Sequence, residues 1–514
     1  MASNSHLEPG AKIVRGSFII LIDYILVVGF GVTYTVVIAR LLGSDGYGIL
    51  ATGLALLNIL AGIAGFGISG ALTRLVSKYV ALKKPGAVRE VLRISLKYIV
   101  ASGLIFSAVL FLLAGPIAGN IYHNSELTNV FRLVAITILP FLLITALLGT
   151  FQGFQRMRYN LFTEGSSAVL RLPFAIGLVV SGYFATGALL GTAMGMTVGC
   201  LLGFYFLLKL WPKRSEEGDG KLSREIMGFA LPTWAGSFAW AFVLGYGTLL
   251  LGNVTNFHEV GFYSSAFWII SVMLYIPGIV GVPLFPLVSE LWTLKDKEKL
   301  SSTIKISAKI IFTILIPFIV AIAVFPEFIL TLIYGKDFAA GSNALRILAM
   351  ALLFMSIKSM NDSILSGVGR PDVNARINAS TAAIAVVTIT PLAWFFGIQG
   401  AAAGFLIAQI LASCVGIFFV NRLTGLTYSL SVFRITALAA GVMLIFLIPL
   451  RYLAVNFLQA VAIGVGALII YALACLVLGA VEKDDVNLLR LISSDMGEPK
   501  VIVKVIRFLD KFAK

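Results

Sequence analysis

A chain of 514 residues in which 59% are hydrophobic and only 12% charged cannot cover the surface of a soluble domain with polar groups. This composition is that of an integral membrane protein. The formal net charge of +15 does not mark a nucleic-acid partner, because the basic residues lie in short loops between apolar runs and not on one folded basic face.

In chain order, the polar start M-A-S-N-S-H-L-E-P-G-A leads, after Lys12 and Arg15, into an apolar run too long for a cleaved signal peptide and without its processing flank. Apolar runs of about twenty or more residues then follow one another almost to the end, each long enough to cross roughly 30 Å of hydrocarbon. They predict helices over 13–39, 47–76, 91–118, 128–151, 161–182, 186–210, 226–251, 260–288, 303–325, 343–365, 373–396, 398–420, 430–450 and 454–480. The expected fold class is all-α: a polytopic membrane protein with about fourteen transmembrane helices, as two parallel six-helix repeats plus two extra C-terminal helices.

The repeat is carried by particular residues. The basic stretch from Ser77 to Lys97 has a second copy that begins at Ser289: Leu82-Lys83 recurs as Leu294-Lys295, Arg93-Ile94-Ser95 as Lys305-Ile306-Ser307, and Lys97 as Lys309. Gly48 answers to Gly261, Ile121-Tyr122 to Ile333-Tyr334, Arg132 to Arg346, and Asn160 to Asn374. A spacing that stays near 212 residues over about a hundred positions is an internal duplication. It divides the chain into an N-terminal tail (1–12), a first lobe (13–210), a cytoplasmic linker (211–225), a second lobe (226–421), two unmatched helices (422–480) and a tail (481–514).

Basic loops alternate with base-poor ones. Lys78, Lys83, Lys84 and Arg89, then Arg156 and Arg158, then Lys213, Arg214, Lys221 and Arg224, then Lys295, Lys297 and Lys299, and finally Arg370 and Arg376 all fall on the side of Lys12 and Arg15. The positive-inside rule makes that side cytoplasmic, with both termini on it, in the plasma membrane. In the tail, Lys500, Lys504, Arg507, Lys511 and Lys514 recur every three or four residues opposite Val501, Val505, Phe508, Leu509 and Phe512. That pattern predicts a basic amphipathic helix on the anionic leaflet, at roughly 1 kcal/mol per basic residue near the surface.

No enzyme signature is present. His6, His123 and His258 sit in tails or loops, Cys200, Cys414 and Cys475 lie inside apolar runs, and no phosphate-loop motif or metal-ligand spacing occurs. No cofactor is expected, and what remains is a transporter or a membrane scaffold. The informative residues are charges deep in helices, each of which costs a few kcal/mol on insertion scales and so faces protein or water. They are Asp23 in the first helix, Arg171 in the fifth with Glu164 two turns away, and Lys358 in the tenth with Asp362 one turn on. Lys358 and Asp362 have the spacing of a pair along one helix. Asp23 and Arg171 can neutralise each other within the first lobe, or take part in coupling or substrate binding.

Arg132 and Arg346 are placed to snorkel to the interface. Trp234, Phe238, Trp240, Trp268 and Tyr275 on the seventh and eighth helices offer aromatic surface with polar edges, suited either to a sugar or lipid chain or to interfacial packing. Pro277, Pro283 and Pro286 with Gly278 and Gly281 mark a bend in the eighth helix, and Gly62, Gly65, Gly67 and Gly70 mark its counterpart in the second.

The segment A-R-L-L-G-S-D-G-Y-G-I-L-A, from Ala39 to Ala51, resembles the turn between the first two helices of the polysaccharide biosynthesis or O-antigen flippase family. The six plus six plus two layout resembles the wider superfamily of multidrug, oligosaccharidyl-lipid and polysaccharide exporters. The resemblance implies alternating-access flipping of a polyprenyl-phosphate-linked glycan from the cytoplasmic to the outer leaflet. It also implies H+ or Na+ as the candidate coupling ion, and glycan synthases or a polymerase as candidate partners. Lipid II flippases of the superfamily line their cavity with arginines on helices one, two and eight; here the first has only Arg40 at its outer end, the second Arg74 at its inner end, and the eighth none. Multidrug exporters use an acidic residue in helix one, which Asp23 matches, but helix seven has no carboxylate. A lipid II flippase, a cation-coupled multidrug exporter and a non-transporting scaffold stand as the alternatives.

Overall fold

The computed structural model describes residues 7–212, 222–426, 430–450 and 457–479, with side chains from Leu26 onward except those of Val282, residues 430–432 and Phe457. The side chain of Asp23, the linker over 213–221 and the basic helix expected over 500–514 therefore lie outside the described residues. Every regular element among the described residues is helical. A helix is the open-chain solution for hydrocarbon, because it pairs each backbone N–H and C=O within its own segment.

The first element, α1 (Leu7–Ala64), turns at Gly43, whose φ of 68° and ψ of −178° are open to glycine and to almost nothing else. α2 (Ile68–Ala81) follows a break at Gly65-Phe66-Gly67, with Gly67 left-handed at φ 68°. Then come α3 (Pro85–Pro116), α4 (Leu127–Gly153), α5 (Met157–Leu178) and α6 (Phe184–Leu210), the last two joined through Gly182 at φ 92°. α7 (Leu222–Val254) and α8 (Phe257–Met273) lead to α9 (Tyr275–Thr293). The break between α8 and α9 lies at Leu274, where Pro277 has no N–H to return to the Met273 carbonyl. α10 (Lys297–Val324), α11 (Pro326–Tyr334), α12 (Ser342–Gly367), α13 (Pro371–Thr424), α14 (Leu430–Leu450) and α15 (Phe457–Val477) complete the order.

Among the described residues, eleven helical segments are long and apolar enough to cross a membrane. The hydropathy pattern predicts about fourteen. The physical reason for the difference is that three of the eleven run on through a single glycine, Gly43, Gly182 or Gly397, where the pattern places two helices and a loop. α11 is absent from the pattern because it is only nine residues long; Pro326 starts it and Gly335, at φ 108°, follows its end.

Packing groups the residues into two compact units. One contains the chain up to Ser265 with Leu330–Gly341 and Ala375–Gly404; the other contains Ala266–Ile329, Ser342–Asn374 and the chain from Phe405. Within the first, α6 lies against α5 along a stripe of Gly191, Gly195, Gly199 and Gly203, spaced by four. A methyl on Gly195 would come within 2.9 Å of the Arg171 backbone, and one on Gly199 within 2.7 Å of the Thr163 carbonyl. Such backbone contact substitutes van der Waals packing for the hydrophobic effect, which is weak between helices in lipid. Within the second, α9 packs on α12, and α10 on α12 and α14.

Candidate functional site

The glycine stripe sets the first candidate site by holding α5 so close to α6 that Arg171 must turn towards α1. Its guanidinium carbon lies 4.3 Å from the ring centroid of Tyr34. Tyr34 is 4% exposed, and its hydroxyl is shared with Thr192 Oγ1 at 2.9 Å and donates to the Ala188 carbonyl at 3.2 Å. A cation on an aromatic face is worth about 2 kcal/mol when desolvated, and the Thr192 contact orients the ring for it. Arg171 Nε is buried with no hydrogen-bond partner among the described residues. Glu164 stands half-buried farther along α5.

The second site is on α12. Lys358 Nζ donates to Asp362 Oδ2 at 2.8 Å, the pairing that the spacing predicts. Lys358 is only 3% exposed, while the Asp362 side chain is 33% exposed and its Oδ1 has no hydrogen-bond partner. Asn374 at the start of α13 braces this turn, its Nδ2 donating to the Asp362 carbonyl at 2.8 Å and to Ser366 Oγ at 2.9 Å. A cleft of about 540 Å³ opens between α12 and α9, lined by Ser359, Asp362, Ser363 and Ser366 from one side and by Gly278, Gly281 and Phe285 from the other.

A third feature runs down α7. Trp234, Phe238, Phe242 and Tyr246 recur every four residues and contact one another in sequence, with Trp234 on Phe238 at 5.9 Å and Phe242 on Tyr246 at 5.0 Å between centroids. The ladder is anchored at both ends, by Trp234 Nε1 donating to the Gly62 carbonyl at 2.9 Å and by Tyr246 Oη to Thr390 Oγ1 at 2.7 Å. With Ala379, Ala382 and Ala383 of α13 it borders an apolar cleft of about 370 Å³.

The sequence candidates are thus partly gathered and partly dispersed. Trp234 joins the ladder, whereas Trp240, Trp268 and Tyr275 line neither cleft. Arg40 donates through Nε to the Ile333 carbonyl at 2.8 Å and through Nη2 to that of Leu332, so it caps the last turn of α11 and complements its dipole. Arg74 lies over the Phe229 ring at 4.4 Å, one turn from Lys78, which with Tyr79 grips Glu225 at 2.6 Å. Arg132 covers Phe111 at 5.5 Å, and Arg346 donates to the Ala323 carbonyl and to Asn343 Oδ1, each at 2.9 Å. Tyr34, Thr192 and the serines of α12 were not legible as site residues, although the serines at 356, 359, 363 and 366 do carry a helical spacing.

Crossing-length helices that carry a few internal charges define a polytopic membrane protein. Residues 13–292 match the model described as Polysaccharide biosynthesis protein, and the chain belongs to that family. Residues 232–392 also match the MatE model. The chain is 22% identical over 472 residues to "Lipid II flippase MurJ" of Bacillus subtilis, covering 82% of this chain and 85% of that protein. It is 24% identical over 377 residues to "Probable low-salt glycan biosynthesis flippase Agl15" of Haloferax volcanii, covering 72% and 75%. Among solved structures, "Lipid II flippase MurJ, inward closed conformation" superposes with a TM-score of 0.70 at 14% identity, covering 89% of this chain and 98% of the other; this likeness is one of fold.

Proposed function

We infer that the protein translocates a polyprenyl-linked glycan precursor from the cytoplasmic to the outer leaflet by alternating access, with both termini cytoplasmic and H+ or Na+ as the coupling ion. The observation that carries this reading is the pair of chemistries inside its crossing helices. A cleft with a carboxylate and serine hydroxyls suits a sugar, and a cleft walled by aromatic rings and alanines suits an isoprenoid chain. Arg171, whose Nε is buried with no hydrogen-bond partner among the described residues, is the positive group that this reading assigns to the phosphate. The breaks at Gly65-Phe66-Gly67 and at Leu274 supply the bending that such a cycle needs.

The test is reconstitution into vesicles with a fluorescent polyprenyl-diphosphate oligosaccharide and a membrane-impermeant quencher. Protein-dependent loss of protected fluorescence is the expected result. Equal signals with and without protein under every ion gradient count against the reading, and transport of a fluorescent organic cation without transport of the lipid selects a multidrug exporter.

A further inference from the structure

The charge that the α9–α12 cleft turns towards a guest is opposite to the one its ion pair suggests. Lys358 is 3% exposed and is not among the lining residues; its ammonium is held behind Asp362 by the 2.8 Å bond to Oδ2. The guest meets the Asp362 side chain, which is 33% exposed, together with the hydroxyls of Ser359, Ser363 and Ser366 and the ring of Phe285, which is 47% exposed. An anion site needs donors and positive charge at its wall. This wall has an acceptor, hydroxyls and an aromatic face.

We propose that the cleft is a sugar subsite that holds one neutral, hydroxyl-bearing hexose unit of the transported lipid. The inference rests on the reading of the protein as a carrier of lipid-linked glycans, and it assigns the place where the glycan is recognised. Each element has a task in that recognition. The carboxylate oxygen accepts from a ring hydroxyl, a charge-assisted bond stronger than a neutral one. Serine hydroxyls donate or accept, so they follow the alternating hydroxyls of a pyranose. Ser366 Oγ already accepts from Asn374, which leaves its own hydrogen for the guest. Phe285 covers the apolar C–H face of the ring.

The glycines of α9 keep the cleft open. A methyl at Gly281 would lie 3.1 Å from Ser363 Oγ, whereas one at Gly278 would meet nothing within 4 Å. Gly278→Leu therefore projects into open space, fills the cleft and replaces a poor helix former with a good one. It blocks the subsite without removing any contact of the folded protein.

The experiment measures Kd of the full chain in detergent for a polyprenyl diphosphate that carries one glucose, for the same lipid that carries glucuronic acid, and for the sugar-free polyprenyl diphosphate. The wild type is expected to bind the glucose lipid roughly tenfold more tightly than the sugar-free lipid, the order of one well-made buried hydrogen bond, and to show no such margin for the acidic sugar. Gly278→Leu and Asp362→Asn are each expected to abolish the margin while leaving the affinity for the sugar-free lipid unchanged. If Asp362→Asn does not fold, Gly278→Leu carries the test alone. A glucose margin that survives Gly278→Leu, or a wild type that binds all three lipids equally, overturns the subsite and leaves the flippase reading standing. A wild type that binds none of the three overturns both.

Discussion

Gly48 and Gly261, matched positions of the sequence repeat, sit at a reciprocal helix crossing: a methyl on Gly48 would overlap the carbonyl oxygen of Phe257, and one on Gly261 that of Ser44. Ser44 and Phe257 are each four residues before their own glycine, so the contact maps onto itself when the two helices are exchanged. Ser44 Oγ and His258 Nδ1, 2.7 Å apart, close the same crossing. Two-fold self-complementarity of this kind is what a duplicated segment produces when its copies pack together.

From this follows a matched pair of effects. Gly48→Val and Gly261→Val should each lower the unfolding temperature in detergent by comparable amounts, for a cost of roughly 1–3 kcal/mol of overpacking. The double variant should cost less than the sum, because the first substitution already parts the helices. A large effect at one glycine and none at the other would show that the crossing is not reciprocal.

At Arg171 the ring and the cation should be energetically coupled. A double-mutant cycle of Arg171→Gln and Tyr34→Leu should give a coupling energy of about 1–2 kcal/mol in thermal or denaturant unfolding. Tyr34→Phe keeps the ring and loses only the hydroxyl's contacts with Thr192 and the Ala188 carbonyl, so it should cost about 1 kcal/mol and leave the coupling in place. A coupling near zero would mean that the cation is held by other groups.

Lys358 and Asp362 should show the asymmetry of a buried pair. Lys358→Met leaves a carboxylate without its partner and should destabilise by roughly 3 kcal/mol, at the low end for buried pairs because Asp362 is 33% exposed. Adding Asp362→Asn should restore most of that loss, since it removes the stranded charge. A double variant less stable than Lys358→Met would rule this account out.

Topology is accessible to labelling. In a variant lacking Cys200, Cys414 and Cys475, Lys84→Cys and Lys297→Cys should react with an impermeant maleimide only from the cytoplasmic side, and Asn256→Cys only from outside. Labelling of Lys84→Cys and Asn256→Cys from the same side would contradict the orientation expected from the basic loops.

What the sequence alone determined is local or compositional. The crossing segments are legible because hydrocarbon demands about twenty apolar residues in a row and forces them into helices. The Lys358–Asp362 bond is legible because partners four apart share one helix face. The breaks at Gly65-Phe66-Gly67 and Leu274 are legible because glycine and proline act on their own backbone. Even the stripe from Gly191 to Gly203 is present in the sequence as a spacing of four, though only its closeness to Arg171 gives it meaning. The tertiary structure decided which partners meet. Tyr34 on α1 lies more than a hundred residues from Arg171 and Thr192 on the consecutive helices α5 and α6, and no periodicity links the three. Likewise, the tenth predicted helix contains Lys358 and Asp362, but only the packing of α9 shows that the lysine is sealed in and the carboxylate faces the cleft. Burial is set by the neighbour across a helix interface, and a neighbour distant in sequence leaves no trace in the local pattern.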